Sequence, residues 1–186
     1  MSRYVGIDTH FANYFAAKQM KTQWCWAASI RMVLKYYGIE YTQDKIVERT
    51  YGKSSWGTLP NWPASFDLIT RNLNNWNVDN NGTVYIVKSA FGLGKIPVKK
   101  LIYELSNKRP IILALSTGES TGHAVVVTGA SYTRLLTRYR IDSIIIRDPW
   151  PSLENKEKYG RFEDTGKNIA DIMVAYWLIR VNKLNI

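Results

Sequence analysis

The hydrophobic pattern of this chain changes near residue 110, and the change restricts its fold more than any other feature. Beyond that point, four apolar segments rich in β-branched residues are separated by turns. They are "PIILALS" (110–116), "HAVVVTGA" (123–130), "DSIIIRD" (142–148) and "IMVAYWLIRV" (172–181). The links between the first three are too short for a crossover helix, so antiparallel pairing is predicted.

Before residue 110 the apolar residues recur at helical spacing instead. In "WAASIRMVLKYY" (26–37) they mark one helix face, and Gly38 follows where a left-handed C-terminal cap is expected. Further helices are predicted over 42–49, over 66–76 and after Pro97, with a strand at "TVYIV" (83–87). We therefore expect a single α+β domain over 1–186. Its helical lobe would span about 17–108 and its antiparallel β lobe about 109–186, with a cleft between them.

The chain carries one cysteine and two histidines among 186 residues. This excludes a disulfide framework and a Cys-rich zinc site, so no cofactor or metal is expected. The longest apolar runs are too short to span a bilayer, and no signal peptide is visible at the start. We expect a soluble protein, cytoplasmic by default, with secretion or delivery into another cell as the alternative.

A net charge of +10 raises the question of a nucleic-acid or membrane-surface partner. The basic residues are dispersed, with no block of five like charges and no nucleic-acid-binding motif. Solvated surface charge is the favoured interpretation, and no nucleic acid is expected. An acidic protein substrate would also suit this charge.

The only cysteine, Cys25, lies in "QMKTQWCWAAS" (19–29), at the start of the predicted helix. The unpaired N–H groups and positive dipole end of a helix N-terminus favour a thiolate, and a neighbouring imidazolium adds to this. A lone cysteine is more often an inert core residue. Its position at the helix start favours a nucleophile instead.

His123 begins one predicted strand and Asp148 ends the next. Each residue alone is more often structural. If the two strands are antiparallel, however, the start of one lies beside the end of the other. Asp148 would then orient the imidazole at the rim of the sheet. Glu119 is a weaker rival to Asp148, and His10 is predicted to be a surface residue.

Together, "QMKTQWCWAAS", "GHAVVVTG" and "IIRDPWP" resemble the bacterial papain-like cysteine peptidases (clan CA). The closest likeness is to the avirulence-effector peptidases of plant pathogens and the related C39-like peptidases. The resemblance implies that Cys25 is the nucleophile, His123 the base and Asp148 the residue that orients the base.

The same resemblance assigns three supporting roles. Gln19, six residues before the cysteine, would help form the oxyanion hole. Trp26 follows the nucleophile, and Trp150 would shield the contact between the histidine and the carboxylate. Gln23 is a rival oxyanion donor, on the approach to the helix. Trp24, Trp56, Trp62 and Trp76 could line substrate subsites, although aromatic residues at such spacing are more often core.

The implied activity is a cysteine peptidase that acts on a protein or peptide through an acyl-enzyme. The same triad also serves acyl or amide transfer and isopeptide cleavage in toxins and effectors. A non-enzymatic alternative is a papain-like module that binds a peptide or an acidic partner. The chain is short for the family, and with eighteen residues before Gln19 no inhibitory pro-segment is expected.

Overall fold

The computed structural model describes residues 1–74, 76–80, 82–118, 122–150 and 158–184. Within these ranges, one antiparallel sheet has helices packed on both faces. The helices are α1 (Thr9–Phe15), α2 (Cys25–Tyr36), α3 (Gln43–Tyr51), α4 (Phe66–Asn72), α5 (Val98–Ser106) and α6 (Gly166–Ile172). The strands are β1 (Ser2–Gly6), β2 (Trp76–Asn80), β3 (Thr83–Leu93), β4 (Ile111–Leu115), β5 (His123–Arg134), β6 (Tyr139–Arg147), β7 (Arg161–Thr165) and β8 (Met173–Leu184).

The strand order differs from the order along the chain. The strands lie in the order β2-β3-β8-β4-β5-β6-β7, and β1 pairs with the second half of β5. Every pairing is antiparallel. The antiparallel pairing predicted for β4, β5 and β6 is therefore confirmed.

The two faces of the sheet form two hydrophobic cores. Along β4, Ile112 and Ala114 join the core under α1 to α4, whereas Leu113 and Leu115 join the core on the opposite face. This alternation follows from the two-residue period of a strand. Because both faces of the sheet are covered by helices and loops, the central strands are continuous apolar runs in the sequence.

Helix α2 begins at Cys25, as the sequence predicts. Most of its residues are buried, including Ala27, Ala28 and Ser29 in its first turns. The helix ends before Gly38, which has φ +83° and donates its N–H to the Lys35 carbonyl. A residue without a Cβ is suited to that left-handed conformation.

Two other sequence predictions have different outcomes. The helix predicted over 42–49 forms as α3, and Thr42 caps it, since its Oγ1 accepts a hydrogen bond from the Lys45 N–H at 3.3 Å. The helix predicted over 66–76 is wrong in its last turn, because α4 ends at Asn72 and 76–80 form β2. Residues 76–80 instead pair with β3, so the sheet begins well before residue 109.

Within the described ranges, β1 and α1 at the start and β7 and α6 between the last two predicted strands lie where no element is predicted from the sequence. No helix within the described ranges is long and apolar enough to cross a membrane.

Trp177 on β8 links the sheet to α4. It is fully buried, donates Nε1–H to Thr70 Oγ1 at 2.8 Å, and packs against Phe66 and Phe91. We expect Trp177→Ala to lower the free energy of unfolding by about 3–5 kcal/mol, measured by urea denaturation. The exposed Trp56 is the control, and Trp56→Ala should change stability by less than about 0.5 kcal/mol. Equal losses in both variants would contradict this role.

Candidate active site

Three elements bring the predicted site residues together. Cys25 is the first residue of α2, His123 is the first residue of β5, and Asp148 directly follows β6. Val126 of β5 pairs with Arg147 of β6, so the start of one strand lies beside the end of the other. His123 Nε2 lies 2.7 Å from Asp148 Oδ1, at hydrogen-bonding distance.

Asp148 is held by the backbone around it. Its Oδ1 also accepts the Trp150 N–H at 2.8 Å, and its own N–H donates to the Gly160 carbonyl at 2.9 Å. A Cβ on Gly160 would collide with the Asp148 carbonyl oxygen, so this close approach requires glycine. The carboxylate is almost fully buried, at 7% exposure of its side chain.

The ring of His123 lies between the carboxylate and the thiol. Because Nε2 faces Asp148, Nδ1 is the ring nitrogen left for Cys25. Burial lowers the pKa of His123, but hydrogen bonds to Asp148 and Cys25, together with the negative charge of Asp148, outweigh it and raise the pKa to about 9. The histidine is therefore an imidazolium at neutral pH.

Cys25 is partly exposed and stands at the open end of α2. The preceding residue, Trp24, makes no side-chain cap to the first turn. The first N–H groups of a helix have no partner within the helix. The N-terminus of α2 therefore offers donors to negative charge at or beside the sulfur.

A pocket of about 240 Å³ opens beside these groups. Cys25 and His123 both line it, and most of the remaining wall is apolar. That wall includes Pro63, Phe66, Ile69, Ala114 and Ala124. The arrangement places a thiol and an imidazolium next to a space that fits an apolar side chain.

The loop at 59–62 is hydrogen-bonded to the segment around the cysteine, which the sequence did not predict. Trp24 Nε1 donates to the Pro60 carbonyl at 2.9 Å, and Trp26 Nε1 donates to the Trp62 carbonyl at 3.2 Å. Asn61 Oδ1 accepts the Gln23 N–H, and Lys21 Nζ donates to the Leu59 carbonyl. Trp24 and Trp26 are buried, and their indole N–H groups hold loop 59–62 to the start of α2. Because Trp24 is fully buried, it lines no substrate subsite.

Gln19 lies close to the same site. Its backbone N–H donates to the Pro149 carbonyl at 2.9 Å, next to Asp148. Its Nε2 donates to the carbonyls of Thr22 at 2.7 Å and Lys21 at 3.0 Å. Gln19 thus connects the segment before the cysteine to the segment after the aspartate.

The remaining predicted residues have simple outcomes. The structure gives the Trp150 contact through its backbone N–H, and the shielding role of its ring stays a prediction. His10 is exposed, as expected. Glu119, the rival to Asp148, and Trp76, through its side chain, lie outside the described residues.

A helix that begins with a cysteine and packs against an antiparallel sheet bearing a histidine and an aspartate is the arrangement of the papain-like cysteine peptidases. The family comparison agrees. Residues 11–176 match the model of the Peptidase_C39 like family, and the chain belongs to that family. The predicted class of papain-like, C39-like peptidase is confirmed, whereas the narrower likeness to avirulence-effector peptidases stays a prediction.

Three solved structures share the fold. The peptidase domain of Streptococcus ComA, a bi-functional ABC transporter involved in a quorum sensing pathway, has 16% identity and a TM-score of 0.55, with 89% of this chain and 96% of that chain covered. A double glycine motif protease from an AMS/PCAT transporter has 17% identity and a TM-score of 0.51, covering 88% and 89%. Procathepsin B S9 from Trypanosoma congolense has 10% identity and a TM-score of 0.57, covering 91% and 72%. No curated protein sequence matches the chain at a significant level.

The raised pKa of His123 predicts a specific pH dependence. Because the pKa in the folded state, about 9, exceeds the unfolded value of 6.5, the protonated ring stabilises the fold fully below about pH 6.5. This stabilisation is lost as the pH rises through about 9. Asp148→Asn should lower the pKa of His123, measured by NMR titration of the histidine ring, with His10→Ala to assign the two signals. An unchanged titration would show that Asp148 does not hold the proton on the ring.

Proposed function

We propose that this chain is a cysteine peptidase that hydrolyses peptide bonds through Cys25, His123 and Asp148. The observation that carries the proposal is the 2.7 Å contact between His123 and Asp148, on a histidine that shares a pocket with a partly exposed cysteine. The group that orients the ring, the ring itself and the nucleophile thus follow one another in the order that the chemistry needs.

The reaction then takes two steps. The Cys25 thiolate attacks the peptide carbonyl, and the His123 imidazolium gives its proton to the leaving amine as the C–N bond breaks. This leaves an acyl-enzyme and a neutral ring. The ring takes a proton from water, whose oxygen attacks the thioester, and the sulfur leaves as thiolate. Asp148 keeps the ring oriented throughout.

The oxyanion of each step would be held by the Cys25 backbone N–H and the Gln19 side chain. Nε2 of Gln19 donates to two adjacent carbonyls, those of Lys21 and Thr22. An amide nitrogen carries two N–H groups, so one of them would turn from a carbonyl to the oxyanion when the substrate binds. Loss of one such donor costs ~10²–10³ in kcat in other acyl-transfer enzymes.

The proposed substrate is a peptide with an apolar side chain near the cleaved bond. The apolar pocket beside the cysteine supports this. The related AMS/PCAT transporter protease was solved in complex with a leader peptide, which supports a peptide as the class of ligand. The net charge of +10 suits an acidic substrate.

A reducing compartment such as the cytoplasm suits this chemistry, because an accessible thiolate is readily oxidised elsewhere. An effector role, in which the chain acts inside another cell, rests on the three sequence motifs alone.

Replacing the sulfur tests the proposal directly. Cys25→Ala should abolish cleavage of a peptide mixture, followed by mass spectrometry, while the melting temperature stays close to that of the wild type. In the wild-type chain, iodoacetamide should modify this thiol rapidly at neutral pH, and His123→Ala should slow the modification at least about tenfold. Full activity in Cys25→Ala would refute the assignment. An unreactive thiol without cleavage would favour a binding module.

The pocket predicts the substrate preference. Ala114 pairs with Ala124 across β4 and β5, and both small side chains leave the pocket open. Ala114→Leu should therefore lower kcat/KM about tenfold or more for peptides with large apolar side chains, relative to peptides with small ones. Ala170→Leu on α6 is the control, because Ala170 lines a different cavity. A uniform loss for all peptides would place the selected side chain elsewhere.

A further inference from the structure

The first residue of α3, Gln43, is buried although its side chain is an amide. Its exposure is 3%. Its Oε1 accepts the Met20 N–H at 3.0 Å, and its Nε2 donates to the Lys18 carbonyl at 2.8 Å. One side chain therefore bonds the backbone on both sides of Gln19.

The segment that Gln43 holds has no regular structure of its own. Residues 16–24 lie between α1 and α2, outside any helix or strand. The Gln43 amide supplies one donor and one acceptor to residues 18–20, as the peptide group of a neighbouring strand would. On its other side, the Gln19 N–H is bonded to the Pro149 carbonyl. The backbone of Gln19 is thus fixed from two directions.

We propose that Gln43 is a positioning residue that acts on catalysis through Gln19. This inference rests on the proposed peptidase function, in which the Gln19 side chain donates to the oxyanion. An oxyanion donor must be placed accurately before the reaction, and a displacement of about 1 Å can cost ~10²-fold in rate. By holding the backbone of residues 18 and 20, Gln43 fixes the position of the Gln19 backbone and so of the base of its side chain.

The polar side chain of Gln43 also supports a positioning role. A buried amide is tolerated only when its hydrogen bonds are made, whereas an unbranched apolar side chain would fill a similar volume without that requirement. Filling space under α3 therefore does not call for glutamine. The two hydrogen bonds to residues 18 and 20 do.

The test begins with Gln43→Met, which keeps the length of the side chain and removes both hydrogen bonds. We expect kcat for a peptide substrate to fall about 10–10²-fold, with KM changed less than about threefold. Gln43→Glu should also lose activity, because it keeps the acceptor for the Met20 N–H but sets a carboxylate against the Lys18 carbonyl.

Two readouts separate positioning from a merely structural role. In a Gln19→Ala background, Gln43→Met should change kcat by less than about twofold, because the residue through which it acts is gone. Alkylation of Cys25 by iodoacetamide forms no oxyanion, so its rate in Gln43→Met should stay within about twofold of the wild type.

Thr50 on the same helix provides the matched control. Its Oγ1 donates to the Ile46 carbonyl and accepts from Asn72 Nδ2, and neither partner lies in residues 18–20. Thr50→Val removes part-buried hydrogen bonds from α3 as Gln43→Met does, and we expect it to leave kcat unchanged.

Three results would overturn the inference: additive effects of the Gln19 and Gln43 substitutions, a parallel fall in alkylation and kcat, or an equal loss of kcat in Thr50→Val.

If the wild-type chain cleaves no peptide, the proposed function fails, and a peptide aldehyde tests Gln43 instead. Such an aldehyde adds the cysteine sulfur to its carbonyl carbon and forms a thiohemiacetal, whose oxygen takes the oxyanion position without cleavage of a bond. Binding weakened at least about tenfold by Gln43→Met would support the role. Equal binding, or no binding by the wild type, would overturn it.

Discussion

The burial of helix α2 is the constraint on which the rest of the structure depends. The helix contacts β4 and β5 on one side and α1 and α3 on the others. The small side chains of Ala27, Ala28 and Ser29 are fully buried at its first turns and allow this close packing. Because the body of the helix is fixed by packing, the core sets the position of the residue at its exposed end, and loop 59–62 adds hydrogen bonds to Trp24 and Trp26 beside it. Cys25 is placed by a core that contributes nothing to its chemistry.

Opposite the helix, the sheet supplies the electrostatic half of the site. His123 and Asp148 sit on adjacent strand ends, where the backbone ladder fixes their spacing. The carboxylate also accepts the N–H of Trp150, and the backbone N–H of Asp148 donates to the Gly160 carbonyl. The mostly buried ring keeps its proton at neutral pH, since its hydrogen bonds to Asp148 and Cys25 and the Asp148 charge exceed the cost of burial. The packing of α2 thus fixes the position of Cys25, and the sheet supplies the charged groups of the site.

The parts of this fold that could be predicted are those with a period or a topological rule. The start of α2 at Cys25 followed from helical spacing, and the meeting of His123 with Asp148 followed from antiparallel pairing. The hydrogen bonds of loop 59–62, and those from Gln43 to Lys18 and Met20, could not be predicted. Hydrogen bonds between distant irregular segments leave no periodic pattern in the sequence. The helix predicted over 66–76 was too long for a related reason. The position of Trp76 continues the helical spacing of α4, although the residue belongs to β2.

The place of β8 in the sheet has a consequence for how the chain matures. This strand comes last along the chain, yet it lies between β3 and β4. Neither neighbour can complete its ladder until residues 173–184 have been synthesised, although α2 has left the ribosome long before. A partly made chain therefore carries the thiol without the finished wall that faces it. The sheet opposite α2 therefore becomes complete only after the segment 173–184 has been made and has inserted between β3 and β4.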